Sequence, residues 1–312
     1  MRALAIAALA CLLAGGSTAS ARPCGDDVDG HGTAAACDCG DVLVSSRTLG
    51  DADPITQHRC AGNGLVVDVP SGRPAPTLGL GGHLLAGNAR GFGLELVAAG
   101  DGGLRLVGPG EIRGFVDGVF APGGTLASAD NVVVTNGTAD GFVVSGGAFV
   151  LRDCEASHNA RDGFALRGSG FQLDGNRAYY NGRFGFRIAG SDAHIGLTAA
   201  NEASGNGRGG IELLGRGHDV ARAVADKNAG DGIHSRMHRG RISGAYASGN
   251  QRDGIHASGG TLVVSDSAAA DNHGAGIAVR GRRAHDAGGN VAGGNGGGSR
   301  HTPECRVGDA CR

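Results

Sequence analysis

The stretch Asn228-Ala229-Gly230-Asp231-Gly232-Ile233-His234 returns 22 residues later as Asn250-Gln251-Arg252-Asp253-Gly254-Ile255-His256. Its kernel, a glycine followed by a large apolar residue, also occurs at Gly141-Phe142, Gly163-Phe164, Gly185-Phe186, Gly210-Ile211 and Gly276-Ile277. From Gly141 to Gly276 the steps between these glycines are 22, 22, 25, 22, 22 and 22 residues. An asparagine stands four residues before six of them: Asn159, Asn181, Asn206, Asn228, Asn250 and Asn272. Repetition at a fixed period of this length marks a solenoid, in which each unit contacts only its neighbours.

The unit itself reads as strand. In Asp162 to Arg183, Gly163-Phe164-Ala165-Leu166-Arg167 alternates apolar and polar residues, and Gly168-Ser169-Gly170 breaks the pattern. Phe171-Gln172-Leu173 alternates again, Asp174-Gly175-Asn176 breaks, and a third short segment ends at Asn181. Period-two alternation bounded by turn residues is a strand signal. Three short strands per turn predict an all-β chain, a parallel β-helix whose coils stack at about 4.8 Å. The residues after the glycines, from Phe142 to Ile277, should form one inward column, and Val144, Leu166, Ile188, Leu213, Ser235, Ala257 and Val279 a second. The asparagines should sit at a corner, in a left-handed backbone, bonded to their equivalents in neighbouring coils. Residues 61 to 139 read as earlier, less regular coils, so about ten coils give a rod about 50 Å long.

The pattern resembles the right-handed parallel β-helix, or pectin-lyase-like, superfamily, including the Asn-x-x-x-Gly-Ile repeats of secreted sugar-binding members. Cys39-Gly40-Asp41 with Cys60, followed by Thr77-Leu78-Gly79-Leu80-Gly81-Gly82-His83, is similar to an opening found in many secreted members, with Gly79 and Gly81 where Asp and Asn are usual. The resemblance covers roughly residues 37 to 298 and is specific for fold. For activity it implies little, because the superfamily includes lyases, hydrolases, epimerases and proteins with no known reaction.

Flanking segments fit an exported chain. Residues 1–21 read as a secretory signal: Arg2, an apolar run from Ala3 to Ala14, and the small residues Ala19-Ser20-Ala21. The run is too short to span a bilayer. Residues 22–60 form an N-terminal cap, 61–298 the β-helix, and 299–312 a tail. Secretion, to the periplasm, the cell surface or the medium, suits disulfides. The resemblance implies Cys39 with Cys60; terminal clustering suggests Cys24 with Cys37 and Cys305 with Cys311, and leaves Cys154 as a buried free thiol. Asp26-Asp27-Val28-Asp29-Gly30-His31-Gly32 lacks the closing carboxylate of a calcium loop and reads as a polar cap loop.

Chemistry concentrates on the outward positions of the first strand. Two residues after the repeat glycine come Val143, Ala165, Arg187, Glu212, His234, His256 and Ala278; just before it come Asp140, Asp162, Phe184, Gly209, Asp231, Asp253 and Ala275. Stacking should place His234 over His256 and Asp231 over Asp253, bordered by Arg187, Glu212, Arg236 and Arg252. Such a face suits uronate chemistry, with an arginine neutralising the sugar carboxylate and a histidine as base. The catalytic candidates are therefore His234, His256, Asp231 and Asp253, and the substrate-binding candidates Arg187, Glu212, Arg236 and Arg252. Against catalysis, the chain lacks the Asp-Pro-His of alginate epimerases, the Asn-Thr-Asp of polygalacturonases and the calcium-binding carboxylates of pectate lyases. The competing reading is that Asp-Gly is turn chemistry and that His and Arg solvate a strand face. Two stacked histidines have metal spacing but no third ligand, so neither a metal nor a cofactor is assigned.

Net charge is −2, but seven of twelve histidines follow Gly205, and that half should attract an anionic polymer. Secretion and few aromatics disfavour nucleic acid. The expected function is binding of acidic polysaccharide, or service as a surface scaffold, without catalysis. The alternatives are a uronate lyase or C5-epimerase on the His/Asp/Arg face, and a purely structural or adhesive solenoid.

Overall fold

A computed structural model describes residues 21–296 and, as backbone, 305–307. The segment expected to be a secretory signal, up to residue 20, and the side chains of Cys305 and Cys311 lie outside the described residues. Within them the only helical element is a single turn at Pro54–Thr56.

Each regular coil contributes three strands, as in Phe164–Ser169, Gln172–Asp174 and Arg177–Tyr179. First strands pair in parallel with first strands of the neighbouring coils, second with second and third with third. First and second strands merge into one 22-stranded sheet because some, such as Ile255–Ser265, run through the bend between them. The third strands make an 11-stranded sheet from Arg59–Cys60 to Val291–Gly293. The rod holds about twelve turns, not ten. The difference lies at the front, where Pro23–Cys24 pairs in parallel with Asp41–Leu43, which in turn pairs with Leu65–Pro74. Residues read as a cap thus carry coil structure of their own.

The 22-residue register holds strand by strand. Phe142, Phe164, Phe186, Ile211, Ile233, Ile255 and Ile277 are consecutive partners. All are at most 1% exposed, and each buried side chain of this size contributes about 1.5–3 kcal/mol. Successive rings are stacked nearly parallel, Phe142 on Phe164 at 4.9 Å and Phe164 on Phe186 at 4.7 Å. The second column, from Val144 to Val279, is buried throughout. The 25-residue step places its three extra residues between the second and third strands, since Leu173 pairs with Ile195 but Asn176 bonds Asn201. There Asp174 accepts the Thr198 and Ala199 N–H groups and the Thr198 hydroxyl, which closes the longer loop.

The asparagines form a buried ladder. Each side-chain Nδ2 donates to the Oδ1 of the next, from Asn159 through Asn181, Asn206, Asn228, Asn250 and Asn272 to Asn295. The same Oδ1 atoms accept backbone N–H groups of the preceding coil. The left-handed backbone does not fall on these asparagines. It falls one residue earlier, at His158 (φ 58°), Tyr180 (54°), Gly205 (66°), Lys227 (51°), Gly249 (62°) and Asp271 (56°). The turn completed there sends the following side chain into the rod rather than out of it.

Disulfides join Cys24 to Cys37 and Cys39 to Cys60, closing separations of 13 and 21 residues at the front of the stack. Two such bonds suit a protein that folds outside the reducing cytosol. Cys154 is buried and free. Among the described residues no helix is long and apolar enough to cross a membrane.

Candidate functional site

The outer face of the first sheet carries the expected row. Arg187, Glu212, His234 and His256 are partners in successive coils. Arg187 Nε donates to Glu212 Oε2 at 3.0 Å, so these two neutralise each other. The His234 and His256 rings lie 5.2 Å apart, tilted by 41°. His234 Nδ1 is 2.7 Å from Asp231 Oδ2, and His256 Nδ1 is 3.0 Å from Asp253 Oδ2. One tetrapeptide, repeated, thus builds the same imidazole–carboxylate pair twice.

The position before the repeat glycine departs from its expected outward aim. Asp140, Asp162, Phe184 and Ala275 are buried there, and Asp231 and Asp253 half-buried. The carboxylates bond to the next coil's backbone. Asp117 Oδ1 accepts Asp140 N–H, Asp140 Oδ1 accepts Asp162 N–H, and Asp162 Oδ1 accepts Phe184 N–H. Asp231 Oδ1 likewise accepts Asp253 N–H at 3.1 Å, and Asp253 Oδ1 accepts Ala275 N–H at 2.8 Å. In Asp231 and Asp253 one oxygen therefore holds the corner while the other holds the histidine. Burial works against the Asp253 carboxylate, but the bonds from His256 and Ala275 outweigh it and keep its carboxyl below the usual range. Its partner His256 is pushed up, first by the bond to Asp253 and against the effect of burial. Burial dominates at Asp117 and Asp162, whose carboxyls are pushed up.

A hollow of about 360 Å³ opens beside this row, lined by Glu212, Asp231, His234, Arg236 and Arg252 together with Phe184 and Arg208. Five sequence-selected residues thus meet at one place. Arg187 faces a neighbouring hollow of about 470 Å³ shared with Asp140, Arg161, Asp162 and Arg167. His256 and Asp253 continue the surface toward His273.

Arg208 was missed from the sequence, although a signal for it was present. Arg161, Arg183, Arg208 and Arg252 all stand two residues before a repeat glycine. Arg183 N–H donates to Arg161 O, Arg208 N–H to Arg183 O, and Arg252 N–H to Gly230 O, so they rise through successive coils as a column. Gly230 interrupts that column because a Cβ there would lie 1.8 Å from Arg208 O. Arg161 and Arg183 approach Asp140 and Asp162 at 3.7 and 3.9 Å. The Arg208 guanidinium lies over the Phe184 ring, 5.2 Å from its centroid. Among the described residues Arg208, Arg236 and Arg252 make no salt bridge, and all three are exposed.

The cap loop behaves as a turn. Asp29 accepts His31 and Thr33 N–H groups and the Thr33 hydroxyl, and Asp27 accepts Gly32 N–H. The Thr33 hydroxyl first, then His31 N–H, lower the Asp29 carboxyl to about 2.

The family described as right handed beta helix region matches residues 117–284, more than half of the chain. The chain belongs to that family. Among solved structures it is similar to a point mutant of the periplasmic alginate epimerase AlgG, at 13% identity over 85% of this chain and 84% of that one, with a TM-score of 0.48. No curated protein matches.

Proposed function

We propose that this is an exported polysaccharide-binding β-helix, and that an anionic polymer docks along the outer face of its first sheet. The observation that carries the reading is the arginine column running beside the Arg187–Glu212–His234–His256 row. Three of the bordering cations, Arg208, Arg236 and Arg252, have no carboxylate partner among the described residues and surround one hollow. A guanidinium presents a planar fork that grips carboxylates bidentately. Guanidinium groups repeating at the strand spacing suit a ligand that itself repeats. Neutral sugars have less to hold at this hollow, where among the described residues Phe184 is the one phenyl ring in the lining and lies under the Arg208 guanidinium. Titrating a polyuronate and an uncharged glucan against the protein by calorimetry tests this: the polyuronate should bind and the glucan should not.

A second reading is favoured by the two imidazole–carboxylate pairs. A histidine held by a carboxylate and facing cations has the parts for removing the proton beside a sugar carboxylate. Ultraviolet absorbance of an unsaturated product would reveal a lyase, and solvent deuterium entering C5 an epimerase. Binding without either places the protein with non-catalytic members of its superfamily.

A further inference from the structure

We propose that Asp231, His234 and His256 form a site for one divalent transition-metal ion of the zinc or cobalt kind. Each of the three offers a ligand atom, and these atoms all lie within 4.8 Å of one another. A tetrahedral ion about 2.1 Å from each ligand needs them about 3.4 Å apart. Side-chain rotation on backbones fixed in register by the sheet would supply that spacing, drawing the wider pairs together and opening the 2.7 Å contact of Asp231 Oδ2 with His234 Nδ1. The tilted rings already depart from parallel stacking.

The surroundings are those of a supported site. Asp253 holds His256 Nδ1 at 3.0 Å while its other oxygen is fixed by Ala275 N–H. A carboxylate that orients a ligating imidazole in this way fixes its tautomer and raises its basicity. Asp231 is anchored through Oδ1 by Asp253 N–H, which leaves Oδ2 to face the histidines. Two imidazoles and one carboxylate form a nitrogen-rich set that suits zinc, cobalt or nickel, whereas calcium and magnesium take oxygen ligands. The carboxylates of Asp231 and Asp253 balance the ion's two charges, against the nearby Arg236 and Arg252. Three protein ligands leave a coordination position for water or a ligand oxygen. The other grouping of this type, Asp38, Cys39 and His58, is ruled out because Cys39 is in a disulfide.

The test uses the tag-free full chain, stripped with chelator and titrated with Zn²⁺ alone by calorimetry and with Co²⁺ by visible absorption. Wild-type protein should bind one ion per chain. The double variant His234→Ala/His256→Ala and the variant Asp231→Asn should each bind at least ~100-fold more weakly. Asp231→Asn keeps the Oδ1 acceptor for Asp253 N–H, so it remains informative if the double variant fails to fold. His285→Ala, on an exposed position of the last long strand, should bind as wild type does. Binding that survives in the histidine and aspartate variants, wild-type binding no tighter than theirs, or equal preference for Ca²⁺ would each overturn the site. No polymer is present in the measurement, so its failure leaves the polysaccharide reading standing, and the converse holds too.

Discussion

Replacing Asn228 with alanine removes one rung of the buried ladder, and its cost follows from four contacts. Asn228 is fully buried. Its Oδ1 accepts Asn206 N–H and Asn206 Nδ2–H, each at 3.0 Å, and its Nδ2 donates to Ala203 O and Asn250 Oδ1, each at 3.0 Å. Truncation strips the backbone N–H of Asn206 of its acceptor and Ala203 O of a donor. The buried donor left unpaired costs ~1–3 kcal/mol and the three other lost bonds about 0.5–1.5 kcal/mol each, about 2.5–7.5 kcal/mol in all, with about 4 kcal/mol as the central expectation. In denaturant unfolding followed by far-ultraviolet circular dichroism the midpoint should fall accordingly. Hydrogen exchange should show new opening at the Asn206 and Asn228 corners and little change three coils away, because solenoid units couple chiefly to their neighbours. Gln251→Ala, exposed one residue past the next rung, should be neutral within about 0.5 kcal/mol. A loss below ~1 kcal/mol for Asn228→Ala, or one equal to that of Gln251→Ala, would refute the ladder as a source of stability.

Three further outcomes are expected. Gly230→Ala sets a Cβ 1.8 Å from Arg208 O, so it should both lower the melting temperature and weaken polyuronate binding by displacing Arg208 from the hollow. Burial raises the folded-state Asp117 and Asp162 carboxyls above their unfolded values, so their stabilisation is present below about pH 4 and is lost as pH rises through the folded values. Asp162→Asn, which keeps the acceptor for Phe184 N–H, should flatten that part of a stability-against-pH profile. The Cys154 thiol, pushed by burial to about 12, should resist alkylation in the folded protein and react after denaturation, as mass spectrometry would show.

The period was legible because one constraint acts on every coil. A single-residue slip would turn Phe164 or Ile233 outward, so the inward columns repeat strictly. The two Asp-Gly-Ile-His copies were legible for the same reason. The left-handed corner was misplaced by one residue because asparagine's tolerance of that conformation competes with its value as a buried hydrogen-bond partner. At Asn181 and Asn228 the second use wins, and Tyr180 and Lys227 take the strained backbone. The outward assignment of Asp140 and Asp162 failed because alternation describes strands, while these residues sit on the turn entering the strand, where the next coil's N–H groups need acceptors. The arginine column was overlooked because Ala139, Gly230 and Gly274 interrupt it and because attention to the glycine-apolar kernel left the turn before it unread. Nothing in the spacing alone revealed that Arg187 and Glu212 pair with each other, since that depends on side-chain reach between neighbouring coils.

The central claim is that an anionic polymer is held by the unpaired cations beside the histidine row, and affinity as a function of salt tests it most directly. Calorimetric titration of a polyuronate into wild type and into Arg208→Ala/Arg252→Ala should be run at low ionic strength and again at about 1 M salt, where the Debye length shrinks to about 3 Å. Wild-type affinity should be measurable at low salt and collapse at high salt, with the double variant bound ~5- to 30-fold more weakly, as two exposed charge contacts at ~0.5–1 kcal/mol each imply. Affinity that is indifferent to salt, or unchanged in the double variant with its melting curve intact, would contradict the claim.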